Sequence, residues 1–112
     1  MGLWVELYVD VDTGGDELEH IELFSANITH NLGVMADVAG IYEALWNPPV
    51  EMADELIEPL EKGLKSLKEN PEIYKKYNAS NGWGVYEHFV PFVEEYLDAC
   101  KQHPKASVRV SR

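Results

Sequence analysis

The chain predicts an α+β fold, in which an N-terminal β-hairpin and a C-terminal strand form a small, mostly antiparallel sheet packed by three to four helices, in the order ββααα(α)β. Three observations carry this. Residues 3–12 alternate apolar and polar side chains, the period of a half-buried strand. Residues 34–67 and 86–100 carry apolar side chains three and four positions apart, the period of an amphipathic helix. The alternation returns over 106–111. Strands at both ends with helices between favour one sheet covered by helices on one face. At 112 residues the chain falls in the common single-domain range of roughly 100–150 residues. It has no internal repeat or low-complexity segment, so it reads as one domain spanning 1–112.

In the first strand Leu3, Val5, Leu7, Val9 and Val11 alternate with Trp4, Glu6, Tyr8, Asp10 and Asp12. Thr13-Gly14-Gly15-Asp16 follows, a turn in which glycine reaches positive φ without steric cost. A second strand is expected over about 18–25, returning through Leu18, Ile21, Leu23 and Phe24. Asn27–Asn31 reads as a polar corner whose Asn27 or Thr29 caps the next helix. That helix runs through Val34, Val38, Ile41, Tyr42 and Leu45 to Trp46, and Asn47-Pro48-Pro49 ends it. Met52, Leu56, Leu60, Leu64 and Leu67 mark another stripe, with a kink or two abutting segments expected at Pro59. A short helical piece over 71–77 leads into Asn78–Gly84, too rich in turn formers to be helical. The last helix carries Tyr86, Phe89, Val90, Val93, Tyr96, Leu97 and Cys100, and 106–111 closes the sheet.

The charge is uneven. Residues 1–61 hold fourteen of the twenty acids and no Lys or Arg, while residues 62–112 hold all nine bases, for a net charge of −11. Such a surface repels phosphate backbones and anionic membranes, so no direct nucleic-acid binding and no membrane association are expected. It serves solubility, or it forms an acidic decoy for a basic protein groove. No apolar run reaches the roughly 20 residues of a membrane span, and the N-terminus lacks signal-peptide and myristoylation patterns. The single cysteine, Cys100, excludes an internal disulfide. Together these give a cytoplasmic expectation.

Few catalytic patterns survive inspection. Asp10-Val-Asp12-Thr-Gly14-Gly15-Asp16 resembles a calcium loop, yet position five is Gly14 and position twelve is Ile21 where a bidentate Glu is required. His20, His30, His88 and His103 show no paired ligand spacing, and no P-loop, GxSxG or GxGxxG occurs. No metal and no cofactor are therefore expected. Cys100 lies in an apolar helical stripe, where a small hydrophobe is expected rather than a nucleophile.

Two irregular segments remain, Asn27–Asn31 and Asn78–Glu87. Amides offer paired donors and acceptors, and Trp or Tyr rings give a stacking face. That mixture suits a nucleoside, sugar or base-like ligand better than proton transfer. Residue by residue, helix capping explains the Asn and Thr side chains equally well. Asn27, Thr29, Asn31, Asn81, Trp83 and Tyr86 are the expected ligand-binding set, with His30 and His88 as contributors.

The strings Asn27-Ile-Thr-His-Asn-Leu, Gly40-Ile-Tyr-Glu-Ala-Leu-Trp46, Leu60-Glu-Lys-Gly-Leu64, Asn81-Gly-Trp-Gly-Val-Tyr86 and Ala99-Cys100 resemble a family of small uncharacterised proteins encoded by bacteriophages, prophages and some bacterial chromosomes. Its most specific parts are the Asn-x-Thr-x-Asn and Asn-Gly-Trp-Gly-x-Tyr elements. The resemblance implies a phage context rather than an activity. The expectation that follows is a non-enzymatic small-ligand-binding protein, a counter-defence sponge for a nucleotide-like signal, with a homo-oligomer compatible. The alternative is an acidic protein-interaction inhibitor that masks a basic surface of a host defence protein. A small hydrolase using His30 or His88 with Glu87 ranks last, because no nucleophile accompanies them.

Overall fold

A computed structural model describes residues 2–112. Strands β1 (Gly2–Val11) and β2 (Glu19–Thr29) form an antiparallel hairpin, registered from Gly2↔Thr29 to Val11↔Glu19. Between Leu7↔Phe24 and Tyr8↔Glu22 the register shifts by one residue, leaving Leu23 as a bulge. Strand β3 (Ser107–Ser111) pairs antiparallel with the other side of β1, from Trp4↔Ser111 to Tyr8↔Ser107. The sheet order is β2-β1-β3, so the fold is α+β with an N-terminal hairpin and a C-terminal strand, as the alternation predicts.

The second strand runs four residues past its expected end. Asn27 and Thr29 do not form a corner; they continue the ladder, with Trp4↔Asn27 and Gly2↔Thr29. The reason is that Ala26 and Ile28 keep the period of two and lie opposite Val5 and Leu3. Polar composition hides an alternation that the inner face still obeys. Thr29 then caps a single 3-10 turn, His30–Leu32, its hydroxyl accepting from the Asn31 amide at 3.4 Å.

The expected helix up to Trp46 is two short ones, α1 (Gly33–Val38) and α2 (Tyr42–Trp46). Gly40, at φ +80°, turns the chain between them. The break rotates the apolar stripe, so Val34 and Val38 are exposed while Met35, Ala36, Ile41, Leu45 and Trp46 are buried. Helix α3 (Asp54–Glu69), by contrast, runs unbroken through Pro59. Pro59 is its sixth residue and would have bonded the carbonyl of Glu55, an exposed first-turn residue that water can serve. Two further helices follow, α4 (Pro71–Lys75) and α5 (Tyr86–Gln102).

Leu3, Val5 and Leu7 on the inner face of β1 join one core with Leu56, Leu60 and Leu67 of α3 and Phe89, Val93, Tyr96 and Cys100 of α5. Stacking of Phe24 on Tyr96, with ring centroids 6.0 Å apart, fixes α5 over β2. Gly63 lets α3 approach Ile41, since a Cβ there would meet the Ile41 Cγ2 at 2.3 Å. The start of α3 is tied to the last strand by Ala53 N–H donating to the Ala106 carbonyl and Val108 N–H donating to the Glu51 carbonyl, both at 2.9 Å. Among the described residues, no helix is long and apolar enough to cross a membrane.

A candidate binding cleft beside β2

The end of β2, the turn before α5 and the first turns of α5 enclose an open cleft of about 980 Å³. Its polar and aromatic lining comes from Trp4, Asn27, Thr29, Trp83, His88 and Glu95, and its apolar lining includes Ile28, Leu32, Pro91 and Phe92. β2 is an edge strand, so every second residue turns its N–H and C=O away from β1. Four of the eight expected site residues, Asn27, Thr29, Trp83 and His88, line this cleft.

Two more act one step back. Asn31 donates its amide Nδ2 to the Trp83 carbonyl at 2.9 Å, and the Asn81 side-chain oxygen accepts from the Trp83 N–H at 3.0 Å. These bonds clamp the Trp83 peptide on both sides. Gly82 and Gly84 take φ of +79° and +105° around it, conformations that glycine alone adopts readily. At Gly84 space is also limiting, because a Cβ would stand 2.9 Å from the Asn31 Cβ and 3.2 Å from the Thr29 Cγ2. Thus the Asn-x-Thr-x-Asn segment and the Gly-Trp-Gly turn pack against each other.

The remaining two are elsewhere. The Tyr86 hydroxyl donates to the Leu67 carbonyl at 2.6 Å and its ring lies 5.6 Å below the Lys75 ammonium, so Tyr86 ties α5 to α3. The His30 ring stands edge-on to Trp46, with centroids 6.1 Å apart. Neither lines the cleft. At the start of α5, Asn78 Oδ1 accepts from Tyr86 N–H at 2.8 Å, and the Val85 carbonyl accepts from the His88 and Phe89 N–H groups. Glu87, the carboxylate of the hydrolase reading, lies 3.8 Å from the Lys75 ammonium.

Trp4 lines the cleft although it is outside the expected ligand-binding set. Leu3 and Val5 are buried, so strand alternation places Trp4 on the opposite face, where it is 53% exposed. An outward tryptophan on a strand is a signal for contact. Pro91 and Glu95 sit one turn apart on α5; a helical wheel aligns them with His88. Among the described residues no group of three or more His, Cys, Asp or Glu side chains is arranged to hold a metal ion. Burial raises the Cys100 thiol above its ordinary value, to about 12, which keeps it un-ionised at neutral pH.

No family model, curated protein or solved structure matches this chain.

Proposed function

We propose that this chain is a small-ligand-binding protein, and that its cleft takes the flat, neutral end of a nucleotide-like molecule. One observation carries the reading. Of three tryptophans, Trp46 is buried, whereas Trp4 and Trp83 are 53% and 71% exposed and both line the same cleft. Leaving two indoles in water forgoes substantial burial energy, and a stacked base on each returns roughly 1–3 kcal/mol. Asn27 and Thr29 supply amide and hydroxyl groups for an edge of the ring system.

Charge narrows the ligand class. Among the described residues the lining includes Glu95 and no Lys or Arg, so a phosphate inside the cleft would meet repulsion. The base or nucleoside part would be held and phosphates left towards solvent. The resemblance to phage-encoded proteins makes sequestration of a host-defence signal the role this binding would serve, without turnover.

The test is native mass spectrometry against nucleosides, linear and cyclic nucleotides, and sugars. At least one nucleoside-containing compound is expected to bind. Asn27→Ala and Trp83→Ala should each weaken it by more than about tenfold, the scale of one lost stacking or hydrogen-bonding contact. Folded variants that bind as the parent does would make these segments structural ties only.

A further inference from the structure

The far end of the hairpin carries a second surface. β3 stops opposite Tyr8, so residues Val9–Val11 have a strand neighbour on the β2 side alone. From there the sheet continues as a two-stranded arm, through Val9↔Ile21, Asp10↔His20 and Val11↔Glu19 to the turn. Val11, Leu18 and Ile21 are exposed on it. Val9, Val11 and Ile21 share the face that lower down carries the buried Leu3, Val5 and Leu7. The core-facing side of the sheet thus runs on past the helices that cover it.

A two-stranded ribbon whose apolar face is open at Val11 and Ile21 is marginal in water, and a strand edge without a strand neighbour invites another strand. Charge decides which strand. Residues 8–22 contain Asp10, Asp12, Asp16, Glu17, Glu19 and Glu22 and no Lys or Arg. On the outer face the imidazole of His20 meets Glu6 at 3.3 Å and Asp10 at 3.5 Å. A second copy of the chain would bring six more acids against these, whereas a basic segment gains from them.

We infer that the arm docks an extended segment of a cationic partner protein, added as a strand to β1 beyond the end of β3. Because side chains alternate across a strand, the segment should alternate apolar and basic residues. Its apolar residues would extend the face of Val11 and Ile21, and its basic residues would lie beside Asp10. This surface is separate from the cleft and does not depend on what the cleft holds.

A short synthetic peptide alternating Val and Lys is the probe, titrated into the full chain and followed by backbone amide NMR. Shifts confined to residues 9–11 and their β2 partners, with affinity falling about tenfold or more from low to high salt, are expected. Ile21→Ser should abolish the shifts while leaving the rest of the spectrum in place. Equal binding of a Val-Glu peptide, salt-independent binding, shifts elsewhere or no binding overturns the inference. So does sedimentation showing a dimer that Ile21→Ser dissociates, since the arm's occupant would then be a second copy.

Discussion

Trp83 owes its position to neighbours rather than to itself. Asn31 and Asn81 hold its carbonyl and N–H, and the flanking glycines allow the backbone to present an indole to solvent. Sequence reading found these residue types but could not tell a ligand contact from a clamp, because an amide serves both. The same holds for Tyr86, whose hydroxyl goes to the Leu67 carbonyl 19 positions earlier, a pairing no local pattern announces. At the other end of α5, Tyr96 and Cys100 are fully buried. Burial raises both above their ordinary values, Cys100 to about 12, and for Tyr96 the nearby Cys100 adds to the effect. In the unfolded chain these groups ionise at roughly 8.5 and 10, so at high pH the folded state binds more protons than the unfolded one. Stability from these groups is therefore complete below their unfolded values and is lost as pH rises towards their folded ones. Denaturant midpoints should hold steady between pH 7 and 8 and fall between pH 9 and 11, and Cys100→Ala combined with Tyr96→Phe should reduce that fall.

Elements were most legible where one period ran uninterrupted. β1, β3, α3 and α5 follow from alternation or helical stripes that the core then uses. Boundaries failed where local chemistry competed with the period. The asparagines and threonine of 27–31 suggested a corner, yet Ala26 and Ile28 kept that stretch in the sheet as far as Thr29. Gly40 broke a helix that valine spacing alone had joined, and Pro59 did not break one because it sits close to an end. The turn at 81–84 lies between α4 and α5 and packs against the end of β2, and its tight point is Gly84. Gly84→Ala combines a positive φ with a Cβ forced against Asn31 and Thr29. It should destabilise the protein by roughly 1–3 kcal/mol and weaken cleft binding beyond what the stability loss explains. A melting curve and a binding isotherm on the same variant separate the two effects.

Across the whole molecule, acid content is concentrated where the sheet is least covered. The half of the chain without Lys or Arg supplies the hairpin and its arm, while every base lies in the half that builds the end of α3 and all of α4, α5 and β3. Composition alone showed the imbalance; only the register showed that it coincides with the partly open apolar face at Val11 and Ile21. The cleft was half legible: two segments far apart in sequence, each with amides and one with a tryptophan, do come together, while alternation in β1 turns Trp4 outward but only the pairing Trp4↔Asn27 sets it beside the first of them. The central claim is that Trp4 and Trp83 form the two aromatic sides of one binding cleft. The three indole N–H resonances test it most directly, titrated with the nucleoside-containing compound that native mass spectrometry selects. The account predicts that the Trp4 and Trp83 indole signals move together along one saturating curve while that of buried Trp46 stays in place. Saturable binding that leaves both the Trp4 and Trp83 indole signals unmoved would contradict it.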